Sequence, residues 1–183
     1  MKRTILTAFG ILAVSAGVFA QAPSDPIQKA LLAAPARAKK EDVTVIKWKP
    51  DFTYDTLQKG NGSLVCYDLS GYPGHPPFTV ECTSMGNLPR VAQNLKIEAK
   101  GDKKAVQDAF DAAEKDGTRV KPEFGSAFIH FMGPDQEHAF HHTTIAVPGA
   151  TAQSLGLPDK PSATGAWIMN AGTSTAHIMI PGR

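Results

Sequence analysis

The chain has 183 residues, of which 42% are hydrophobic and 20% are charged, and its formal net charge is +2 at neutral pH. This length is enough for one ordinary domain with a buried core. A charge so close to zero, without a cluster of Lys or Arg, does not supply the basic surface that binds a nucleic-acid backbone. The composition therefore argues against a nucleic-acid partner.

The N-terminal residues 1–20 have the pattern of a signal peptide. Met1-Lys2-Arg3 is basic, residues 5–19 are apolar and uncharged, and Ala20/Gln21 is the predicted cleavage point. The alternative is a membrane anchor, but roughly 15 apolar residues fall short of the about 20 that span a bilayer as a helix. Cleavage would remove Lys2 and Arg3 and leave 17 basic and 17 acidic residues. We expect an exported protein, periplasmic or secreted, with no transmembrane anchor after cleavage.

Residues 21–42 are predicted to form an N-terminal helix and a linker, ahead of a single α+β domain at residues 43–183. Asp25-Pro26 is a typical helix start, and apolar residues follow it at helical spacing until Pro35. The polar and charged residues after Pro35 predict the linker. We therefore expect the first helix to be loosely attached to the domain.

The next part of the chain predicts β-strands. Its β-branched and aromatic residues favour strands at residues 43–48, 52–58, 63–69 and 78–83. Asn61-Gly62 lies between the second and third of these, and this dipeptide is a strong hairpin signal, so we expect those two strands to pair. The prolines and glycines of residues 71–77 predict an irregular loop.

Cys66 and Cys82 are the only two cysteines, and they flank this loop. In an exported chain an isolated pair across a short excursion predicts a disulfide bond. Closing a loop of this size stabilises a protein by roughly 3 kcal/mol in the chain-entropy model. The alternative, a metal or redox site, is disfavoured because no C-x-x-C motif is present.

Two helices are predicted in the middle of the chain. Asn87-Leu88-Pro89 starts the first, although its second half also alternates like a strand. Asp102 caps the second, which carries an apolar stripe for packing and ends at Gly117. A short helical piece and two further strands follow, at residues 152–155, 166–170 and 175–180. We predict an α+β fold with a mostly antiparallel sheet and two or three helices inserted mid-chain.

Residues 126–147 are the most chemically concentrated stretch and predict two strands joined by a tight connection. They hold four of the six histidines, and histidine is the side chain most readily used for metal ligation or proton transfer near neutral pH. The chain contains no Walker A loop, G-x-G-x-x-G, H-E-x-x-H or G-x-S-x-G motif. No catalytic motif therefore assigns these histidines a role.

Several short motifs occur in an order that resembles a family of small exported bacterial proteins without an assigned activity. They are Gly60-Asn61-Gly62-Ser63-Leu64-Val65-Cys66, Cys82, Phe131-Met132-Gly133, Ala166-Trp167-Ile168 and His177-Ile178-Met179-Ile180. In this family a Cys pair, a Met-Gly strand end and a terminal Trp…His-Ile-Met-Ile strand recur. The resemblance covers most of the chain after the signal. It implies export and a common fold, and it implies no function.

Two His-x-Met triplets supply candidate metal ligands: His130 with Met132, and His177 with Met179. Residues two apart in a strand share one face, so each triplet presents an imidazole and a thioether to the same side. If the two strands are neighbours, four ligands converge, and this ligand set favours copper. The alternative is that the methionines fill the core and the histidines are hydrogen-bonded at a sheet margin.

A second candidate metal site consists of His138 and His142. If the residues after Gly133 form one or two helical turns, these histidines fall four apart on one helix face, a spacing that can hold zinc or copper. The alternative is a solvent-exposed loop in which the histidines only cap the chain and make it soluble.

We therefore predict a non-catalytic exported protein that binds a ligand, with a transition metal (copper or zinc) as the candidate. One alternative is an envelope or extracellular interaction module that contacts another macromolecule through exposed loops such as residues 71–77. Another is a small enzyme with His130 or His177 as acid or base. This last role needs a cleft lined by histidine and a carboxylate.

Overall fold

A computed structural model describes residues 25–180 of the chain, so the predicted signal peptide and cleavage point lie outside the described residues. The strands within this range are β1 (Thr44–Trp48), β2 (Tyr54–Gln58), β3 (Leu64–Asp68), β4 (Phe78–Ser84), β5 (Ala127–Gly133), β6 (Phe140–Ala146), β7 (Trp167–Met169) and β8 (His177–Met179). The α-helices are α1 (Pro26–Ala30), α2 (Leu88–Glu98), α3 (Lys103–Lys115) and α4 (Ala152–Leu155). Short 3₁₀ turns lie at Leu31–Ala33, Lys40–Asp42 and Met85–Asn87. Within residues 25–180, no helix combines the length and apolar character needed to cross a membrane.

The strands form one sheet in the order β2-β1-β3-β4-β5-β6-β8-β7. Every neighbouring pair is antiparallel except β1 and β3, which are parallel. The predicted α+β fold with a mostly antiparallel sheet is confirmed. Helices α2 and α3 lie mid-chain between β4 and β5, whereas α1 precedes the sheet and α4 follows β6.

The predicted hairpin between the second and third strands is wrong. Strand β2 pairs with β1 through the turn at Lys49–Thr53, and β1 separates β2 from β3. Gly60 instead lies against the backbone: a Cβ built there would sit 2.2 Å from the carbonyl oxygen of Asp42. The glycines beside Asn61 therefore allow two chain segments to approach closely, and they do not make a two-residue hairpin turn.

Helix α2 covers one face of the sheet along its whole predicted length, so the alternative strand in its second half does not form. Its Leu88, Val91 and Leu95 are buried against apolar side chains of β1 and β3, including Trp48 and Tyr67. Each fully buried side chain of this kind contributes about 1.5–3 kcal/mol relative to an exposed one. This face of the sheet also carries the candidate site.

The N-terminal helix and the 3₁₀ turn after it cover the opposite face. Ala30, Leu31 and Ala33 are buried there with Val80 and with the Cys66–Cys82 pair. The first helix is therefore packed into the core, in contrast to the expected loose attachment.

The sulfur atoms of Cys66 and Cys82 lie at bonding distance, as expected for a disulfide. The two residues are directly opposite each other on β3 and β4, and both are fully buried. The loop between them, which includes the irregular residues 71–77, is therefore closed at the centre of the sheet.

Helix α3 begins after Asp102, whose side chain accepts a hydrogen bond from the backbone of Ala105, as the sequence predicts. The helix buries none of its residues, however, and its stripe of Val106, Phe110 and Ala113 is only half-buried. Phe110 contacts the guanidinium group of Arg119, 4.4 Å from its ring centre. The stripe therefore lies at the margin of the molecule and does not enter the core.

Candidate functional site

A row of polar side chains crosses the centre of the sheet on the face covered by α2. Tyr67 on β3 is paired with Glu81 on β4, Glu81 with His130 on β5, and His130 with His142 on β6. Directly opposed residues of antiparallel strands point to the same face. The register alone therefore brings these four side chains together, although they are far apart in the sequence.

Glu81 is the centre of the row and is only 5% exposed. The Tyr67 hydroxyl donates a hydrogen bond of 2.8 Å to Glu81 Oε1. On the other side, His130 Nδ1 lies 3.3 Å from Glu81 Oε2. A buried carboxylate is costly unless it is paired and hydrogen-bonded, and both of its oxygens are engaged here.

The surroundings of Glu81 and His130 favour the charged form of both. Burial opposes ionisation of Glu81, but the His130 charge and the hydrogen bonds from His130 and Tyr67 outweigh it and lower the carboxyl pKa. Burial likewise opposes protonation of His130, and the charge and hydrogen bond of Glu81 outweigh it and raise the imidazole pKa. Burial first, and then the Glu81 charge, raise the pKa of Tyr67 well above its usual value. The row therefore contains an ion pair beside a neutral phenol.

His142 and His177 continue the polar surface beyond this ion pair. The His142 ring centre lies 5.9 Å from that of His130, and burial followed by the charges of His130 and His177 lowers the His142 pKa. His177 Nδ1 lies 2.7 Å from the carbonyl oxygen of Thr175. A carbonyl only accepts hydrogen bonds, so Nδ1 carries the proton and Nε2 is free to contact a ligand.

These histidines line a cavity of about 330 Å³ between the sheet and α2. Glu81, His130, His142 and His177 lie on its sheet side. Other residues that line it are Arg90, Asn94 and Glu98 of α2, together with His75, Phe128 and Thr144. His75 Nε2 lies 3.2 Å from Glu98 Oε2 and forms a second histidine–carboxylate pair. A cleft lined by histidine and a carboxylate, the feature needed for an acid–base role, is therefore present.

The predicted copper ligands are only partly brought together. His130 and His177 line the same cavity, but β6 lies between β5 and β8, so the two triplets are not on neighbouring strands. Met132 and Met179 are not among the residues that line this cavity in the described part of the chain. Of the predicted metal ligands, the cavity thus gathers three histidines and neither methionine.

The predicted helical pair of His138 and His142 does not form. Residues 134–139 are a turn between β5 and β6, and His142 is a strand residue. His138 is exposed, and its ring lies 2.8 Å from the carboxylate of Asp135. That carboxylate raises the pKa of His138 through a hydrogen bond and its charge. His138 and His142 therefore belong to different surroundings.

Within residues 25–180, no group of three or more His, Cys, Asp or Glu side chains has an arrangement that could hold a metal ion. Metal ligation by any of the predicted residues thus remains a prediction.

The sequence interpretation missed Tyr67, Glu81 and Arg90. Glu81 had a visible signal, because it is the one charged residue in the strand Phe78–Ser84, which is otherwise almost wholly buried. A charge in a central strand requires a partner. The identity of that partner depends on the register of two long-range strand pairs, which the sequence does not display.

Comparison with family models finds no match to this chain. Neither the curated proteins nor the solved structures contain a significant match. The resemblance to small exported bacterial proteins therefore remains an expectation from the sequence motifs.

Proposed function

We propose that this is an exported protein that binds a small polar molecule in the cavity between the sheet and α2. The observation that carries the proposal is the cavity of about 330 Å³ with Glu81, His130, His142 and His177 along one side. Ligand sites are typically concave spaces of about 300–1,000 Å³ with a few convergent polar groups. Export is supported by the N-terminal sequence, and a disulfide-distance cysteine pair is compatible with an oxidising compartment.

A cavity-filling variant tests this proposal. Ala146 lines the cavity and is 3% exposed, so Ala146→Leu would occupy part of its volume. Ala105→Leu is the matched control, because Ala105 is exposed on α3. We expect small polar molecules that raise the melting temperature of the wild type to lose this effect in Ala146→Leu and to keep it in Ala105→Leu. Equal responses of both variants would place the ligand elsewhere.

A transition-metal ion, zinc or copper, is the alternative ligand of the same cavity. Histidines that bind metals usually donate their other ring N–H to a carboxylate or a carbonyl, and Glu81 and Thr175 are positioned to accept from His130 and His177. The volume argues for a larger ligand, because a single ion fills only a small part of about 330 Å³. Titration of Zn²⁺ and Cu²⁺ into the wild type, His177→Ala and His138→Ala tests the metal. A cavity site is lost in His177→Ala and kept in His138→Ala, which is the control because His138 lies outside the cavity, and equal binding by all three proteins would rule out the cavity as the metal site.

Acid–base catalysis in the same cavity is the second candidate function, and the Glu81–His130 pair favours it. A carboxylate that accepts from Nδ1 fixes the imidazole and leaves Nε2 for a reacting molecule. This role is tested with the small polar molecules that raise the melting temperature of the wild type. Each is incubated with the wild type and with His130→Gln, and the mixture is then analysed by mass spectrometry. Products formed by the wild type alone support catalysis, and unchanged ligand in both samples supports binding without turnover.

A further inference from the structure

We propose that the ligand of this cavity carries an oxyanion group, a carboxylate or a phosphate, that contacts Arg90, His142 and His177. This inference rests on the proposed function, because it names the chemical class of the molecule that the cavity binds.

The pairing of charges around the cavity is the first argument. The cavity is lined by five basic side chains and two acidic ones: His75, Arg90, His130, His142, His177, Glu81 and Glu98. Each acidic side chain is paired with one histidine, at 3.3 Å for Glu81 with His130 and 3.2 Å for Glu98 with His75. Within residues 25–180, no carboxylate lies within ion-pair distance of the three remaining basic groups. The cavity therefore has basic groups to spare and no acid left to neutralise them.

Arg90 is the strongest of these groups. It is only 6% exposed, and its Nη1 donates to the carbonyl oxygen of Val120 at 2.5 Å. Its other guanidinium N–H groups donate to no residue in the described part of the chain, and they are not among the fully enclosed unpaired atoms, so they remain accessible to a ligand. Burial first, and then the neighbouring Arg119, lower the Arg90 pKa to about 10, so the side chain stays charged at neutral pH. A buried cation without a counter-ion is a ready partner for an anion.

The nearby acid on α3 is already engaged. The Glu114 carboxylate, whose charge also acts on Arg90, accepts hydrogen bonds from the backbone N–H and the hydroxyl of Ser174, at 2.6 Å and 2.5 Å. It does not form an ion pair with Arg90. An external oxyanion would therefore meet no competing carboxylate at the Arg90 side of the cavity.

His142 and His177 supply the other contacts. Both line the same cavity as Arg90, and within residues 25–180 the two cavity carboxylates are paired with His130 and His75 instead. An imidazole that carries a proton on a ring nitrogen donates a hydrogen bond from it, so both rings can offer an N–H to an oxyanion.

The experiment titrates inorganic phosphate and succinate separately into ¹⁵N-histidine-labelled protein at constant ionic strength and follows the imidazole resonances. Succinamide, which has the shape of succinate without its charges, is the ligand control. We expect saturable shifts of the His142 and His177 signals with phosphate or succinate, and no shift with succinamide. The tighter of the two anions identifies the group as a phosphate or a carboxylate.

Variants locate the anion. We expect Arg90→Gln to weaken binding by tenfold or more, and Lys104→Gln, which removes the same charge from the exposed face of α3, to leave it unchanged. Should Arg90→Gln fail to fold, His142→Gln provides the same test with an expected weakening of at least threefold. Equal binding by wild type and the cavity variant that folds would overturn the inference.

The probes also separate the two proposals. If succinamide or Zn²⁺ shifts the cavity imidazoles while both anions leave them unchanged, the ligand cavity stands and the anionic ligand is wrong. If none of these probes shifts them, the anionic ligand is wrong, and the comparison of Ala146→Leu with Ala105→Leu decides whether the cavity binds another small polar molecule.

Discussion

Replacing Glu81 by Gln tests whether the buried ion pair is a main support of the central sheet. The substitution keeps the shape of the side chain and an acceptor for the Tyr67 hydroxyl, but it removes the charge that His130 faces at 3.3 Å. Hydrogen bonds to charged groups contribute about 1.5–3 kcal/mol, and breaking a buried pair costs about 3–5 kcal/mol. The His130 side chain is 22% exposed and can release its proton. We therefore expect Glu81→Gln to lower the free energy of unfolding by about 3 kcal/mol, the lower end of the range for breaking a buried pair.

The direction of the pH dependence follows from both groups. The folded-state pKa of His130 is raised above its usual value of 6.5, so its contribution is fully present below pH 6.5 and is lost as the pH rises through the raised pKa. The folded-state pKa of Glu81 is lowered below 4.5, so its contribution is fully present above pH 4.5 and is lost as the pH falls through the lowered pKa. The difference between wild type and variant should therefore be largest between pH 4.5 and 6.5 and should shrink on either side.

Urea unfolding at pH 5, 6 and 8 measures this difference, and thermal melting gives an independent value. For a domain of this size about 3 kcal/mol corresponds to a fall of about 6–12 °C in Tm. Asp135→Asn is the control, because it removes the carboxylate from the exposed pair with His138, and we expect no resolvable change in its unfolding midpoint. A Glu81→Gln variant as stable as the wild type at pH 6, or a difference that does not vary with pH, would refute the reasoning.

Two further predictions concern the frame around the site. Non-reducing mass spectrometry after alkylation should find Cys66 and Cys82 unmodified, and the double change to Ala should lower the free energy of unfolding by roughly 3 kcal/mol; two alkylated thiols in the native protein would contradict the bond. Asn87 is fully buried. Its side-chain Nδ2 donates hydrogen bonds to the hydroxyls of Thr83 and Ser126, and its Oδ1 accepts one from the backbone N–H of Glu123. Its replacement by Ala should cost about 3 kcal/mol in urea unfolding, about 1 kcal/mol for each hydrogen bond, and a loss well under 1 kcal/mol would show that water replaces the amide.

Local patterns were sufficient to predict most of the elements. The β-branched segments, the Asp102 cap and the Pro/Gly-rich loop depend on residues close together in the chain, and each lies where the sequence places it. The pairing of the strands was not local. Asn61-Gly62 has the composition of a hairpin turn, yet the actual β1–β2 turn contains Pro50-Asp51 and places Phe52 at a φ of +64°. A choice between two plausible turns depends on which strands bury more surface together, and the sequence does not show this.

For the candidate site, too, the sequence indicated the residues but not their arrangement. His130, His142 and His177 could be found because histidine is scarce and chemically distinctive, but nothing in their spacing sets them apart from His138. Their separation follows from the sheet: His142 is directly opposite His130 across β5 and β6, whereas His138 lies in the exposed turn between those strands. The methionines of the two triplets do not line the cavity with them, although each is two residues from a histidine that does.

The N-terminal helix has a consequence for the order in which the chain matures. Ala30, Leu31 and Ala33 are buried on the same face as Cys66 and Cys82, and both sulfur-bearing side chains are fully enclosed. Thiol–disulfide exchange needs an attacking thiolate to reach a sulfur atom in line. An oxidant or isomerase must therefore act before this segment docks over the cysteine pair. Once docked, it shields the disulfide from reductants, so a truncation that removes residues 25–33 would expose the bond to small thiols without touching either cysteine.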